Sequence, residues 1–406
     1  MPWQESSVME LREEFVRLAL APGANVSELC RRFGIDPSNG HKWLKRYKTE
    51  GRAGLADRSR RPHHSPLQTG EATEAEVLRI RAKSNNAWGG RKIARVMADN
   101  GWVKIPVPGT ITEILRRHGK LEDHKSEHPG PFQRFERAHP NELWQMDFKG
   151  HFPMACGRCH PLTVLDDHSR YSLGIEACKN EQDVTVRDRL TTLFRRYGLP
   201  FSMLMDNGSP WGDSGAQPFT LFGAWLMRQG IRVTHGRPYH PQTQGKDERF
   251  HRSFKAEVLN GNSFRDLESC QCAFDDWRQI YNHERPHEAL DYVTPGTRYR
   301  VSPRPFSDKP PAIEYAPGDF VRKVDHKGFI SFKGQPWRTS RAFGGQPVAL
   351  RPTAEDGVFN VHYCLQRIGI IDLRIDKTSA PGFVDIATAM PTTPPAQRQI
   401  HAKNAV

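Results

Sequence analysis

The sequence predicts a multidomain chain: all-α helix-turn-helix units at the N-terminus, an α/β core on a mixed sheet, and a small all-β barrel near the C-terminus. Three observations predict it. In the first third of the chain, apolar residues recur at helical spacing and glycines close the segments. From "LWQMDFKG" onward the period changes to two, and three consecutive strand segments give way to alternating helices and strands. Beyond residue 312, short strand segments return, separated by Gly, Asp and Lys turns.

Residues 1–50 read as a helix-turn-helix unit. "SELCRRFG" offers Ser27 as an N-cap, Leu29, Cys30 and Phe33 as an inner stripe, and Gly34 as a stop. "IDPSNGHKWLKRYK" restarts the helix with Trp43, Leu44 and Tyr47 inside and Lys42, Lys45 and Arg46 outside. In such a motif the second helix enters the major groove, so Lys42, Lys45 and Arg46 are candidate DNA contacts. Between Arg31 and Arg61 ten Lys/Arg face three Asp/Glu, a local +7. A small helical packing module with a solvated basic face is the alternative.

Residues 51–70, rich in Gly, Pro, Ser and Arg, read as a basic linker. Residues 71–120 read as a second helix-turn-helix-like domain, with "NAWGGRKIARVMADNG" and "TITEILRRHG" as its helices and a structural hairpin as the alternative. A linker over 121–138 leads to the core, residues 139–300.

Trp144, Met146 and Phe148 alternate with Gln145, Asp147 and Lys149 in the first core strand, which puts Asp147 on its polar side. "PLTVL", "YSLGI", "FSMLM" and "IRVTH" are four further strands. Helices are expected over Val186–Tyr197, in "FTLFGAWLMRQG" and after "YHPQTQG". Asp206 closes the fourth strand, where Asn207-Gly208 turns the chain and where open α/β sheets place ligands. Glu248 lies in the first turns of the helix after the fifth strand, with Phe250, Phe254 and Val258 facing the sheet and Glu248, Arg252 and Lys255 on a polar face.

Three converging carboxylates repel one another by roughly 3 kcal/mol per pair at about 5 Å and an effective dielectric near 20. A cation resolves that repulsion. Hard oxygen ligands suit Mg²⁺ or Mn²⁺, and two such ions about 3.5–4 Å apart form the clamp for in-line phosphodiester chemistry. Asp147, Asp206 and Glu248 are therefore the candidate metal ligands and catalytic acids.

At these residues the sequence resembles a known family. "ELWQMDF", "LTVLDDHSRY", "MDNGSP", "YHPQTQGKDERFHRSFKAEVL" and "YNHERPHEALDYVTP" resemble the catalytic core of DDE transposases and retroviral integrases. With the helix-turn-helix units, the chain looks like a DDE transposase of a bacterial insertion sequence. The resemblance implies a ribonuclease H-like core, DNA 3′-end cleavage and strand transfer of the element's own ends, and a homo-oligomer on DNA. The partners implied are the element's terminal inverted repeats and target DNA. It also implies that Tyr239, Gln242, Gln244 and Lys246 form a loop at the DNA end, and that Arg249, Arg252 and Lys255 follow the strand. Between Asp206 and Glu248 lie 41 residues, somewhat more than in the retroviral pattern, with the surplus placed in 210–218. A catalytically silent DNA-binding regulator and a ribonuclease H-like nuclease remain alternative readings.

Other polar groups read more plainly. Asp166 and Asp167 suit a turn, with Arg170 near enough to pair with one of them. Asp213 and Asp247 read as solvated, and His235, His240 and His251 as ordinary polar residues. Cys156, Cys159 and His160 have metal-ligand spacing but lack a fourth ligand, so a hairpin turn is preferred over zinc.

Residues 312–375 read as the barrel, serving DNA binding or subunit contacts, and 376–406 as a disordered tail. The 406 residues carry 59 Lys+Arg against 46 Asp+Glu, and the resulting +13 favours a polyanionic partner. No apolar run approaches a bilayer span, the start lacks signal-peptide order, and seven thinly spread cysteines suit reduced thiols. A cytoplasmic, nucleoid-associated protein is the expectation.

Overall fold

A computed structural model describes residues 7–59, 69–121, 136–206, 208, 210–211, 219–235, 245–374 and 382–383. The chain forms two compact units, residues 1–68 and 69–406.

In the first unit, α1 (Val8–Ala19), α2 (Val26–Arg32) and α3 (Pro37–Glu50) enclose Phe15, Val16, Cys30, Trp43, Leu44 and Leu55. The N-cap of α2 is Asn25, whose Oδ1 accepts from the amides of Ser27 and Glu28. Ser27, the residue its composition favoured, is already inside the helix; Asn serves as well in that role and starts it two residues earlier. Gly34, at φ +63°, turns the chain toward Asp36, which caps α3 ahead of Pro37. Lys42 and Lys45 are exposed, and Arg46 is half-buried. The Arg12 guanidinium lies 4.0 Å from the centroid of Trp43, with Lys42 and Arg46 at 5.0 and 5.1 Å.

The second unit begins with α4 (Glu71–Lys83), α5 (Gly90–Asp99) and α6 (Pro108–Arg117), packed around Val77, Ile80, Trp88, Ile93, Met97, Ile111, Ile114 and Leu115. The two helices expected of a helix-turn-helix-like domain over 71–120 are α5 and α6, and α4 completes a three-helix unit. It rests on the core through Lys83 with Glu284, Arg91 with Glu288, and Asn85 donating to Asn260 O at 3.2 Å.

The core strands are β1 (Trp144–Phe148), the short β2 (Phe152–Pro153), β3 (Arg158–Asp166), β4 (Ser172–Cys178), β5 (Ser202–Met205) and β6 (Arg232–His235). The sheet runs β4-β3-β1-β5-β6, with β2 also on β3. The pairs β4–β3 and β3–β1 are antiparallel, and β1–β5 and β5–β6 are parallel, which is the mixed sheet the strand order predicts. Trp144, Met146, Leu162, Val164 and Leu173 bury one face with α7 (Asp183–Tyr197) and α8 (Leu221–Arg228). Leu165, Ile175 and Ala177 bury the other with α9 (Gly245–Phe254) and α10 (Leu267–His283). Phe250, Phe254 and Val258 pack into this second layer, as their spacing predicts.

All six C-terminal strands are present: β7 (Phe320–Lys323), β8 (Phe329–Phe332), β9 (Gln335–Arg338), β10 (Pro347–Pro352), β11 (Val358–Tyr363) and β12 (Gln366–Asp372). They do not close into the expected barrel. The described residues form two sheets, β12-β11-β10-β7 and one of three strands in which β9 lies between β8 and β13 (Gly382–Phe383). The physical reason lies in what covers their apolar side. Phe343 meets Phe219 at 5.2 Å, and the inward residues of both sheets continue the apolar cluster of the core. A sheet buried against another layer has no need to close on itself. Gln366 also brackets the edge strand β6, accepting from Val233 N at 2.9 Å and donating to Val233 O at 3.1 Å, as a neighbouring strand would.

Gly40 allows α3 to approach α1 and α2. A Cβ there would overlap Cys30 Sγ and lie 2.9 Å from Phe15 Cζ. Gly40→Ala is expected to destabilise the first unit by about 1–3 kcal/mol. Hydrogen exchange should show α1–α3 losing protection while β1 and β3 keep theirs; unchanged protection in α1–α3 would contradict this packing.

Candidate active site at the edge of the mixed sheet

The parallel register of β1 on β5 pairs Trp144 with Met203 and Gln145 with Leu204. Carried on by two residues, that register sets Asp147 opposite Asp206. Trp144 and Met146 point into the α7/α8 layer, so alternation turns Asp147 to the α9 side. Its side chain is 26% exposed, and burial, reinforced by the nearby charge of Asp206, pushes its carboxyl up to about 7. Asp206 is half-buried just beyond β5, and its Oδ1 accepts from Gly208 N at 3.0 Å. His235 Nδ1 donates to Asp206 O at 2.8 Å, so the neighbouring strand holds the backbone that carries this acid.

From the other layer α9 presents two adjacent acids. Glu248 is exposed on its first turn. Asp247, read from sequence as solvated, is instead 2% exposed. Burial drives its carboxyl well above the ordinary range, and the charges of Asp147 and Asp167 push the same way. Its Oδ1 has no hydrogen-bond partner among the described residues. The signal was in the sequence: 247, 250 or 251, and 254 repeat at helical spacing, so the face that buries Phe250 and Phe254 also buries residue 247. The described residues thus gather Asp147, Asp206 and Asp247 electrostatically and leave Glu248 facing outward. They contain no ready-made group of three or more His, Cys, Asp or Glu around one cation position.

His251, assigned an ordinary polar role, lies against the site. Thr163, paired with Asp147 across β3, donates its hydroxyl proton to Asp147 O at 2.9 Å. That hydroxyl therefore accepts from His251 Nε2 at 2.8 Å, which fixes the proton on Nε2. His251 Nδ1, left with its lone pair, sits 3.9 Å from Asp147 Oδ2. Burial, with the charge of Lys149 adding to it, pushes the imidazole down to about 3, so it is neutral.

Of the candidate DNA contacts, Tyr239, Gln242 and Gln244 lie outside the described residues. Arg252 and Lys255 are exposed beside Glu248, and Arg249 is exposed with a long 3.8 Å contact to Glu288. Lys246 does not match its expected place. Its side chain is 16% exposed and its ammonium donates to Asp167, yet burial outweighs that attraction and pushes the ammonium down to about 8. The turn reading of Asp166 and Asp167 agrees with the geometry, but the pairing with Arg170 does not. Asp166 accepts from Asn141 N, Ser169 N and Ser169 Oγ, while Arg170 binds Glu136 at 3.1 Å. Asp213 lies outside the described residues, as does most of 210–218, and so does His240. Cys156 is exposed and Cys159 fully buried, on the hairpin that joins β2 to β3, so they do not converge on one cation.

Comparison with known proteins matches residues 137–241 and 229–295 to models of the integrase core domain. Residues 319–379 match the C-terminal domain of IS481 family transposases. The chain thus matches an integrase core domain and, beyond it, an insertion-sequence transposase C-terminal domain. Residues 11–63 of the chain match a helix-turn-helix domain, and 39–115 a homeodomain-like domain. It is 27% identical over 175 residues to the insertion element IS407 uncharacterized 31.7 kDa protein of Burkholderia multivorans, covering 43% of this chain and 61% of that one. It is 30% identical over 156 residues to the insertion element IS476 uncharacterized 39.2 kDa protein of Xanthomonas euvesicatoria, covering 38% and 43%. The chain thus spans less than two thirds of either relative. A simian T-cell lymphotropic virus intasome structure, in complex with PP2A regulatory subunit B56 gamma, overlaps at a TM-score of 0.35 and 16% identity, covering 70% of this chain and 91% of that one. No helix among the described residues is long and apolar enough to cross a membrane.

The raised Asp147 carboxyl makes a signed prediction. Between its ordinary 3.8 and about 7, the native chain holds a proton that the unfolded chain releases. Stability from this group is full below about pH 4 and lost as pH rises through about 7. His251 runs the opposite way, losing stability as pH falls from 6.5 toward about 3. The Asp147 contribution is therefore read as the difference between wild type and Asp147→Asn. Since a cation binds the ionised carboxylate, excess Mg²⁺ should raise Tm more at about pH 8 than at about pH 5. Asp147→Asn should flatten that response. A Mg²⁺ shift independent of pH and intact in Asp147→Asn would contradict the assignment.

Proposed function

We propose that this chain is a transposase, which cuts DNA to expose 3′-hydroxyls and joins them to target DNA by transesterification, with Asp147, Asp206 and Glu248 as its catalytic acids. One observation carries the reading. Asp147 and Asp206 occupy facing positions on parallel strands, and Asp147 is desolvated enough that its charge is disfavoured.

The donors fit a hard divalent cation. They are carboxylate oxygens, they repel one another, and the neighbouring Asp247 Oδ1 is buried without a partner among the described residues. Mg²⁺ or Mn²⁺, bound as a pair, would supply charge neutralisation and Lewis acidity for in-line phosphoryl transfer. Asp147, central on the sheet, would hold both ions, with Asp206 and Glu248 each completing one. The exposed position of Glu248 lets it turn toward Asp147 as DNA and metal arrive, since no apolar packing fixes its side chain.

The remaining residues position and screen. Thr163 and His251 fix the backbone of Asp147 without adding charge. His235 does the same for Asp206. Arg249, Arg252 and Lys255, exposed on α9, would neutralise phosphates flanking the reacting one. The helix-turn-helix domains would find the element's terminal repeats, with Lys42, Lys45 and Arg46 on the reading helix. Two ends must be joined together, which favours a homo-oligomer on DNA.

The test is Mn²⁺-dependent nicking of supercoiled plasmid, which needs no knowledge of the element's ends. Asp147→Asn, Asp206→Asn and Glu248→Gln should each lose more than the roughly 10–100-fold typical of residues that only support a metal ligand. DNA affinity at matched salt should not change. Full nicking by Glu248→Gln beside an inactive Asp247→Asn would move the third role to the buried acid. Equal nicking by all variants would sink the assignment.

A further inference from the structure

The first turn of α9, Gly-Lys-Asp-Glu at 245–248, contains no apolar side chain. The apolar anchors of this helix, Phe250 and Phe254, come later, among Phe274, Trp277 and Tyr281 of α10. Something else must hold the turn that carries Glu248 against the sheet. The described contacts there converge on Asp167, a carboxylate 0% exposed at the end of β3. It accepts from Arg137 N at 2.8 Å and from Gln145 Nε2 at 2.6 Å, and the latter side chain springs from β1, two residues before Asp147. Its third donor is the Lys246 ammonium, which also reaches Asp167 O at 3.3 Å. Asp167 N in turn donates to Leu143 O at 2.9 Å, just ahead of β1.

A lysine in the first turn of a helix is disfavoured by the helix dipole, so its place there needs a compensating partner. A buried carboxylate tied to β1 by a side-chain amide is such a partner. We infer that Asp167 and Lys246 form a positioning pair, which fixes the first turn of α9, the backbone that carries Glu248, against β1. Lys246 on this account acts inside the protein and not on DNA. The inference rests on the proposed catalytic role of Glu248, and it deepens that reading by naming what holds the third acid in place.

Two readouts on the full chain test it. The first needs neither metal nor DNA: hydrogen exchange over 245–250, well below the melting temperature. Asp167→Asn and Lys246→Met should each speed exchange there by about tenfold or more, with β1 and α10 unchanged, while Lys246→Arg stays near wild type. The second is the Mn²⁺ concentration for half-maximal nicking. It should rise by about tenfold in either single variant, and no further in Asp167→Asn/Lys246→Met, because one interaction can be lost only once. The double variant also guards against misfolding, since neutralising both partners leaves no unpaired buried charge.

The inference is overturned if exchange over 245–250 is unchanged in Asp167→Asn. It is equally overturned if Lys246→Met keeps its Mn²⁺ dependence and lowers DNA affinity with a salt slope reduced by about one, the signature of a phosphate contact. Failure of all proteins to nick would speak against the catalytic reading alone, and exchange would then decide the positioning pair independently.

Discussion

The burial of one carboxylate opposite a second on neighbouring parallel strands is the constraint around which the site is arranged. Asp147 and Asp206 are brought opposite one another by the β1–β5 register, and that register is set by Trp144, Met146 and Met203 packing into a dry layer of helix side chains. Slipping β1 by one residue would turn Asp147 into that apolar layer and Met146 out of it, so the hydrophobic pattern and the acidic pair specify the same pairing. The fold thus uses apolar burial to hold together charges that would otherwise separate. The energy stored there is what a divalent cation would release.

The groups nearest those acids are chosen to avoid adding to the strain. Thr163, His251 and His235 support the acids through neutral hydrogen bonds, and the tautomer of His251 leaves a lone pair, not a cation, facing Asp147. Beyond Lys149, whose charge reaches Asp147, formal positive charge lies outward at Arg249, Arg252 and Lys255, where a phosphate backbone could reach it. Permanent neutralisation by a lysine beside Asp147 would relieve the repulsion and weaken cation binding with it. The charge of Lys149 lowers the Asp147 carboxyl, but less than burial and Asp206 raise it, and Lys246 is engaged by Asp167. Asp247 is the exception to this economy, a buried acid that increases the local negative potential.

Much of this was legible in the sequence, and what was not fails for identifiable reasons. Strand order and the sheet side of Asp147 were readable because period-two alternation is a local signal carried by Trp144, Met146 and Phe148. The apolar face of α9 was readable from Phe250, Phe254 and Val258. Asp247 was misjudged because residue type was weighed above its place on that same face. The partner of Lys246 lies 79 residues away on another element, and no local pattern announces such a pair. The six C-terminal strands were countable from their turns, yet barrel closure depends on non-local pairing and on what covers the sheet. Asn25 and Ser27 are both good caps, so composition alone could not choose between them.

The central claim is that acids from β1, from the end of β5 and from the first turn of α9 would together hold a pair of divalent cations. Iron-mediated cleavage of the chain tests it most directly: Fe²⁺ replaces Mg²⁺, and hydroxyl radicals made with ascorbate and peroxide cut the backbone beside the bound ion. The account predicts cuts next to Asp147, next to Asp206 and within 245–248, all suppressed by excess Mg²⁺ and lost in Asp147→Asn. Cuts confined to the two strands, with the first turn of α9 untouched in the presence of DNA, would contradict it.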